Sequence, residues 1–422
     1  MHVVVAGQGY VGLPLAVRAA EAGHHVIGYD VDPHRVQQLA TGRSYVEDVP
    51  SPRLRAVLES GTYSATTAAD ELAGYDIAVI TVPTPLRDGV PDLTYVEACA
   101  RTLADHLRPG ATVILESTTY PGTTEEVVLP ILEKTSGLAG TDFRLGFSPE
   151  RIDPGNKAWP FEKTPKVVSG VDAASLDAIK SFYDGLVETT VPVSSPKVAE
   201  LTKLLENTFR HVNIALVNEM AILCHELGVN VWEAITAASS KPFGFMRFSP
   251  GPGVGGHCLP IDPSYLSWRV ERALGQSFRF VELANDINAH MPDYVVRRLV
   301  KALNERSMAV RGSRILLLGL AYKADTADAR ESPSTRVAEL LLDLGAEVRG
   351  ADPHVVDDIR ADPRLIRVVA TAEEVAAADV VVLLTDHTTF DYGTILEHAP
   401  YVLDCRNRLA DVNVGLADID LL

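Results

Sequence analysis

An apolar run, Val3-Val4-Val5, breaks into Gly7-Gln8-Gly9-Tyr10-Val11-Gly12 and resumes as a helix-like stretch from Pro14 to Ala22. Few folds admit that order. Glycine at 7 allows a tight turn, glycine at 9 lets backbone approach a pyrophosphate, and glycine at 12 lets helix and strand pack closely. The following helix aims its orphan N–H groups and the positive end of its dipole at the same place. Three such glycines alone are a weak signal, and a purely structural turn is the competing reading. The context strengthens the first reading: His25 to Tyr29 is the next expected strand, and it ends at Asp30. A carboxylate there accepts from both ribose hydroxyls and repels a 2′-phosphate, so NAD is expected over NADP. Arg35 is the nearby residue able to pair with such a phosphate.

Strand–helix alternation continues through Ile77 to Val82 and Thr112 to Leu115, which implies a parallel sheet covered on both faces. From about 196 to 238 the pattern changes. Glycine is rare there, and Leu201, Leu205, Phe209, Val212, Leu216, Met220 and Leu223 recur at helical spacing, as one long helix or two closely joined. Pro242 to Pro260 holds four prolines and five glycines and cannot be regular helix. A helical stretch over roughly 263–306 follows. Alternation then returns, with strands at Arg314 to Leu318 and Glu347 to Gly350 around a helix from Pro333 to Leu344. The two ends echo each other: Gly23 to Asp30 against Gly345 to Asp352, and Tyr75 to Thr81 against Ala378 to Thr385. The expected fold is α/β, with two Rossmann-like, doubly wound parallel-sheet domains at 1–195 and 307–422 joined by a central helical domain at 196–306. Both clefts would lie at the carboxyl ends of their strands.

Such an architecture needs more than one domain, which 422 residues supply, and 46% hydrophobic with 22% charged content suits large cores. The net charge of −18 argues against nucleic acid or an anionic membrane as partner, since either needs a basic excess. Cys99, Cys224, Cys258 and Cys405 are sparse and unpatterned, which points to a reducing cytoplasm rather than a disulfide framework. The chain opens directly on the strand-like Val3-Val4-Val5, so neither a signal peptide nor a membrane span is expected.

The stretch Gly255-Gly256-His257-Cys258-Leu259-Pro260-Ile261-Asp262 places a cysteine in a glycine-rich turn with a carboxylate four residues on. Cys258 is the candidate nucleophile, its approach left open by the two glycines; the other cysteines sit in apolar contexts and read as core. Zinc is not expected, because His257 and Cys258 are adjacent and no further ligands follow at suitable spacing. A nucleophilic cysteine with a dinucleotide pocket suggests an oxidation through a thioester. On the long helix, Lys203, Asn207 and Arg210 share one stripe, which by itself also fits a solvated polar face. That helix is apolar on more than one side, which favours a homodimer.

Taken together, the motifs resemble the UDP-sugar 6-dehydrogenase family, also called the UDP-glucose/UDP-N-acetylmannosamine dehydrogenases. The matching stretches are Gly7–Gly12, Val82-Pro83-Thr84-Pro85, Glu116-Ser117-Thr118, Ser148-Pro149-Glu150-Arg151, Lys203-Leu204-Leu205-Glu206-Asn207, Gly255–Asp262, Gly319-Leu320-Ala321-Tyr322-Lys323 and Arg330-Glu331-Ser332-Pro333. They run in order over essentially the whole chain. The resemblance implies an NAD-dependent oxidation of a sugar C6 alcohol to a carboxylate in two hydride transfers. It implies that Cys258 forms a thiohemiacetal and then a thioester, that Lys203 and Asn207 steady oxyanion charge, and that Asp262 orients or activates the hydrolytic water. Thr118 and Glu150 would stand around that water and the substrate. Arg151, Ile152, Arg210, Gly255 and His257 would contact substrate, and Lys323 and Arg406 would reach the uridine diphosphate. Gly7, Gly9, Tyr10, Val11, Gly12, Asp30, Arg35, Thr84, Thr118 and Arg330 would serve NAD. The resemblance also points to a dimer.

Within the family, the UDP-glucose branch usually has Lys where this chain has Ile261, Ser where it has His257, an aromatic where it has Leu259, and Glu where it has Pro154. These differences resemble the N-acetylhexosamine branch, with UDP-GlcNAc favoured over UDP-ManNAc and UDP-glucose as the alternative. A two-electron β-hydroxyacid dehydrogenase shares the helix-borne lysine and asparagine but needs neither a nucleophilic cysteine nor a second nucleotide fold. A non-catalytic NAD-responsive protein would not need Cys258, Lys203 and Asp262 together.

Overall fold

The computed structural model describes the chain except for residues 88, 154–155, 157, 257–258, 260, 356–361, 411 and 413–416. His257 and Cys258 therefore lie outside the described residues. Six strands, β1 (His2–Ala6), β2 (His25–Tyr29), β3 (Tyr63–Thr66), β4 (Ile77–Ile80), β5 (Thr112–Leu115) and β6 (Arg144–Phe147), form one sheet in the order β3-β2-β1-β4-β5-β6. Six more, β7 (Arg314–Leu318), β8 (Glu347–Ala351), β9 (Ile366–Val368), β10 (Val380–Leu383), β11 (Tyr401–Asp404) and β12 (Asp418–Leu421), repeat it as β9-β8-β7-β10-β11-β12. Every pairing within both sheets is parallel. In register, Val4 lies between Ile27 and Ala78, and Leu316 between Arg349 and Val381. The fold is α/β with two doubly wound sheets, as the echo in the sequence indicates.

The central strands read as unbroken apolar runs because both faces are covered. Val3 and Val5 feed one core while Val4 and Ala6 feed the other. Ile315 and Leu317 are likewise divided from Leu316 and Leu318 in the second sheet. Each sheet reverses its strand order beside its first strand, β1 or β7. That switch point leaves a crevice at the carboxyl edge, where loops can hold a ligand.

Between the sheets in sequence lie α2 (Pro196–Glu226), α3 (Val231–Ser239), α4 (Asp262–Leu274) and α5 (Arg279–Glu305); α1 (Gly12–Glu21) follows β1. The stretch over 196–238 is two helices. Gly228 takes a positive φ of 69°, and the Asn230 side chain accepts from the amides of Trp232 and Glu233 to start α3. The stretch over 263–306 also divides, at Gly275 (φ 65°). By internal contacts the chain forms two compact units, 1–206 with 264–276 and 207–263 with 277–422, and α2 contributes to both.

The apolar residues of α2 do not all face a core. Leu201, Leu205, Phe209, Leu216, Met220 and Leu223 are 42–63% exposed. Periodicity reports that a face is apolar; it does not report what covers it. Among the described residues, no helix is long and apolar enough to cross a membrane.

The glycine turn is the tightest fit in the first sheet. A Cβ on Gly12 would stand 1.8 Å from the Gly7 carbonyl oxygen and 2.4 Å from Thr81 Oγ1, whereas one on Gly9 would meet nothing within 4 Å. Gly12→Ala is therefore expected to lose about 1–3 kcal/mol to overpacking. Gly9→Ala is expected to hold its thermal midpoint; calorimetry on the two variants checks the difference.

Candidate active site

In the first unit, the motif residues follow the carboxyl ends of different strands. Gly7 to Gly12 follow β1, Asp30 follows β2, Thr84 follows β4, Thr118 follows β5, and Glu150 with Arg151 follows β6. Gly7 takes a φ of 95° and donates its amide to Tyr29 O at 2.7 Å, which turns the chain sharply off the strand. The N-cap of helix α1 is Val11, with no side-chain cap, so the helix presents its first amides at the turn without a side-chain acceptor. Those amides, with the open space beside Gly9, suit a pyrophosphate.

Asp30 is 5% exposed and accepts from the amides of Gln8 (2.8 Å) and Asp32 (2.9 Å). A carboxylate has room for further donors, so ribose hydroxyls can add to these. Arg35 lies 3.6 Å from both Asp30 and Asp32. Its charge is thus shared with two carboxylates, which a 2′-phosphate would have to approach. Tyr10 is exposed, while Val11, Thr84 and Thr118 are partly buried. The Thr84 carbonyl accepts from the Tyr265 hydroxyl, and Ser117 Oγ donates to Val82 O at 2.8 Å, tying the ends of β4 and β5 together.

Beyond β6, Glu150 and Lys203 meet. Lys203 Nζ lies 3.3 Å from Glu150 Oε2, both are more than nine-tenths buried, and the other Glu150 oxygen accepts from the Ile152 amide. Arg151 forks onto Glu206 of α2 (2.7 and 3.3 Å) and donates to Pro165 O at 2.6 Å. Three of its five N–H donors thereby brace α2 against the loop. Glu206 had no role in the sequence reading, although it sits inside a quoted motif; nothing in its spacing marks it as Arg151's partner.

In the second unit, Asn207 Nδ2 donates to Asp262 Oδ2 at 2.6 Å, with both side chains buried. The stripe on α2 is thus not a solvated face at Lys203 and Asn207, although Arg210 on the same stripe is exposed. Gly255 and Gly256 do not simply leave space. A Cβ on Gly255 would lie 2.7 Å from Glu331 O and 2.8 Å from Tyr322 Cβ, and one on Gly256 2.7 Å from the Tyr322 ring. These glycines let the segment lie against the loop after β7. Asn218 of α2 anchors the Gly/Pro-rich segment by accepting from the Gly251 amide (2.9 Å) and donating to Asn288 (2.9 Å). His257 and Cys258 lie between these anchored residues and Asp262, outside the described positions.

Lys323 and Arg406 follow β7 and β11 at the carboxyl edge of the second sheet, both partly buried. Arg406 donates to Leu384 O at 2.7 Å and packs on Gly251, where a Cβ would come within 2.7 Å of its Nη1. Arg330 forks onto Asp328 (2.6 and 2.8 Å). The second sheet has its own acid, Asp352, at the place of Asp30, but its carboxylate is already saturated. It accepts from the amides of Leu320, Ala321, His354 and Val355 and from His387 Nε2. Burial opposes its ionisation, yet the His387 and amide hydrogen bonds outweigh that and hold the carboxyl far below its usual range. No lone pair is left for a ribose diol, so this half does not duplicate the dinucleotide site. Asp325, His354 and His387 cluster within 4.8 Å, but His387 already accepts from the Asp325 amide and donates to Asp352. A metal there would have to displace one of these bonds.

Residues 1–187 match the NAD binding domain of the UDP-glucose/GDP-mannose dehydrogenase family, 197–290 its central domain and 316–411 its UDP binding domain. The chain belongs to that family. It is an NAD-dependent UDP-sugar dehydrogenase. The dehydrogenase is 36% identical to the UDP-N-acetyl-D-mannosamine dehydrogenase of Pyrococcus horikoshii over 98% of this chain and 97% of that one. It is also 36% identical to the UDP-N-acetyl-D-glucosamine 6-dehydrogenase of Pseudomonas aeruginosa, over 92% and 91% of the two chains. A solved structure of the Pyrococcus horikoshii UDP-D-ManNAc dehydrogenase superposes with a TM-score of 0.89 at 34% identity, covering 99% of each chain.

The turn, the uncapped helix start and Asp30 fit NAD. The dehydrogenase is expected to use NADP at least a hundredfold less efficiently than NAD, because the 2′-phosphate meets Asp30 and Asp32. Comparable kcat/KM for both cofactors would remove Asp30 from that role.

Proposed function

We propose that the dehydrogenase oxidises the C6 hydroxyl of a UDP-N-acetylhexosamine to the uronic acid. The observation that carries this reading is on α2: Lys203 and Asn207, four residues apart on one helix, are both buried and each faces a carboxylate, Glu150 or Asp262. Hydrophobic packing does not call for two such groups on one stripe. A reaction that passes through oxyanions does.

NAD, when bound, takes up hydride; Gly7, Gly9, Tyr10, Val11, Gly12, Asp30, Arg35, Thr84, Thr118 and Arg330 are the residues proposed to serve it. The remaining chemistry belongs to the chain. Loss of the first hydride and the hydroxyl proton converts the alcohol to an aldehyde. The Cys258 thiolate adds to its carbonyl carbon, giving a thiohemiacetal whose oxyanion the Lys203 ammonium and the Asn207 amide stabilise. Loss of the second hydride leaves a thioester. Water, with a proton passed to Asp262, breaks the C–S bond and releases the carboxylate and the thiolate. In balance, alcohol, water and two oxidised cofactors give carboxylate, two reduced cofactors and three protons. Thr118 and Glu150 order the water and the sugar. Arg151, Ile152, Arg210, Gly255 and His257 contact the substrate, and Lys323 and Arg406 take the diphosphate, localising positive charge in a chain of net charge −18.

UDP-GlcNAc is the favoured substrate, with UDP-ManNAc, its C2 epimer, next. Ile261, His257, Leu259 and Pro154 set the chain apart from the UDP-glucose branch. The two relatives at 36% identity carry the names of both epimers, so overall similarity does not choose between them. Turnover of UDP-GlcNAc is expected to yield two NADH per sugar. One NADH per sugar would make the protein a two-electron dehydrogenase. Cys258→Ser is expected to keep substrate affinity while acid release falls at least a thousandfold; near-normal acid production would take Cys258 out of the mechanism.

The exposed apolar stripe of α2 supports a homodimer through that helix. Sedimentation is expected to show two copies, and Leu205→Glu with Leu216→Glu to give one. A wild-type monomer, or a dimer indifferent to both changes, would move the interface elsewhere.

A further inference from the structure

Two buried charges beside Glu150 and Thr118 have no part in this scheme. Glu116 is 1% exposed and Lys166 is 4% exposed, and they form an ion pair. Lys166 Nζ also donates to Pro149 O at 3.1 Å and lies 5.1 Å from the centre of the Tyr183 ring. Taking both charges out of water costs several kcal/mol for each ion, so a pair here adds little net stability over apolar side chains of equal volume. Its position gives it another use.

Glu116 directly follows β5 and precedes Ser117-Thr118. Lys166 begins a short strand, Lys166–Val168, well removed in sequence. Their contact joins that strand to the end of β5, and the Lys166 bond to Pro149 O holds the peptide that carries Glu150. Ser148 Oγ donates to Val167 O at 2.7 Å, so the same strand grips the loop twice. Glu150 then faces Lys203. The charges alternate through the interior: Glu116, Lys166, Glu150, Lys203. Burial and then the Lys203 ammonium press Lys166 well below the usual lysine range.

We propose that Lys166 is a positioning residue: anchored by Glu116, it fixes the Pro149–Glu150 peptide and so sets the carboxylate against Lys203. The effect on turnover rests on the proposed oxidation; the effect on the loop does not.

Three full-length variants test this: Lys166→Met, Lys166→Arg, and Glu116→Gln with Lys166→Met. The double variant leaves no orphan buried charge, which separates loss of positioning from misfolding. With UDP-GlcNAc and NAD, Lys166→Met and the double variant are expected to lose at least tenfold in kcat while KM for NAD stays within twofold. Lys166→Arg, which keeps the charge and a donor, is expected to recover most of the rate. Hydrogen exchange read by mass spectrometry is expected to quicken at least tenfold at the amides of Glu150, Arg151 and Ile152 in both Met-containing variants, with β5 still protected. A double variant with wild-type kcat and unchanged exchange at Glu150–Ile152 would overturn the proposal, as would a uniform rise in exchange across the first sheet. If the wild type oxidises no UDP-sugar, the functional reading fails and the exchange measurement alone decides the role of Lys166.

Discussion

Burial of polar groups on α2 is the constraint on which the candidate site depends. A lysine and an amide removed from water must find partners or lose several kcal/mol. Lys203 finds Glu150 in the first unit, and Asn207 finds Asp262 in the second. Each partner is therefore held by the helix as firmly as it holds the helix. Arg151 adds a forked contact to Glu206 one turn along. The loop after β6 and Asp262 are thus each held to α2 by electrostatic contacts, while hydrophobic cores hold each sheet to its own helices.

The two sheets share strand order and register but not chemistry. The difference lies in how many donors each end-of-strand acid already has. Asp30 takes two backbone amides and keeps capacity for a ligand. Asp352 takes four amides and a histidine and keeps none. A repeated fold becomes two different sites when one acid is consumed internally. The UDP binding domain is thereby left to recognise its nucleotide with other groups, Lys323 and Arg406 among those proposed.

Much of the fold was legible. Unbroken apolar runs such as Val3-Val4-Val5 can be satisfied only between two covered faces, and the echo of Gly23–Asp30 in Gly345–Asp352 announced the second sheet. Helix limits were less so. The break at Gly228 and Asn230 depends on one positive φ and one capping side chain, which the apolar spacing around them does not reveal. The candidate site was legible where a motif is local, as in the glycine turn and the helix spacing of Lys203 and Asn207. It was not legible where partners are distant in sequence: Arg151 with Glu206, Gly256 with Tyr322, or Glu116 with Lys166.

The sequence by itself determined that strands and helices alternate, that the first turn suits a dinucleotide, and that a lysine and an asparagine lie on one stripe of a helix. These follow from periodicity and from the backbone freedom of glycine, both properties of neighbouring residues. Only the tertiary structure decided that Lys203 and Asn207 are buried, that Leu201, Leu205, Leu216 and Leu223 of α2 are exposed, and that Asp352 is spent. Burial and hydrogen-bond saturation depend on which chain segments meet in space, and local spacing carries no record of that.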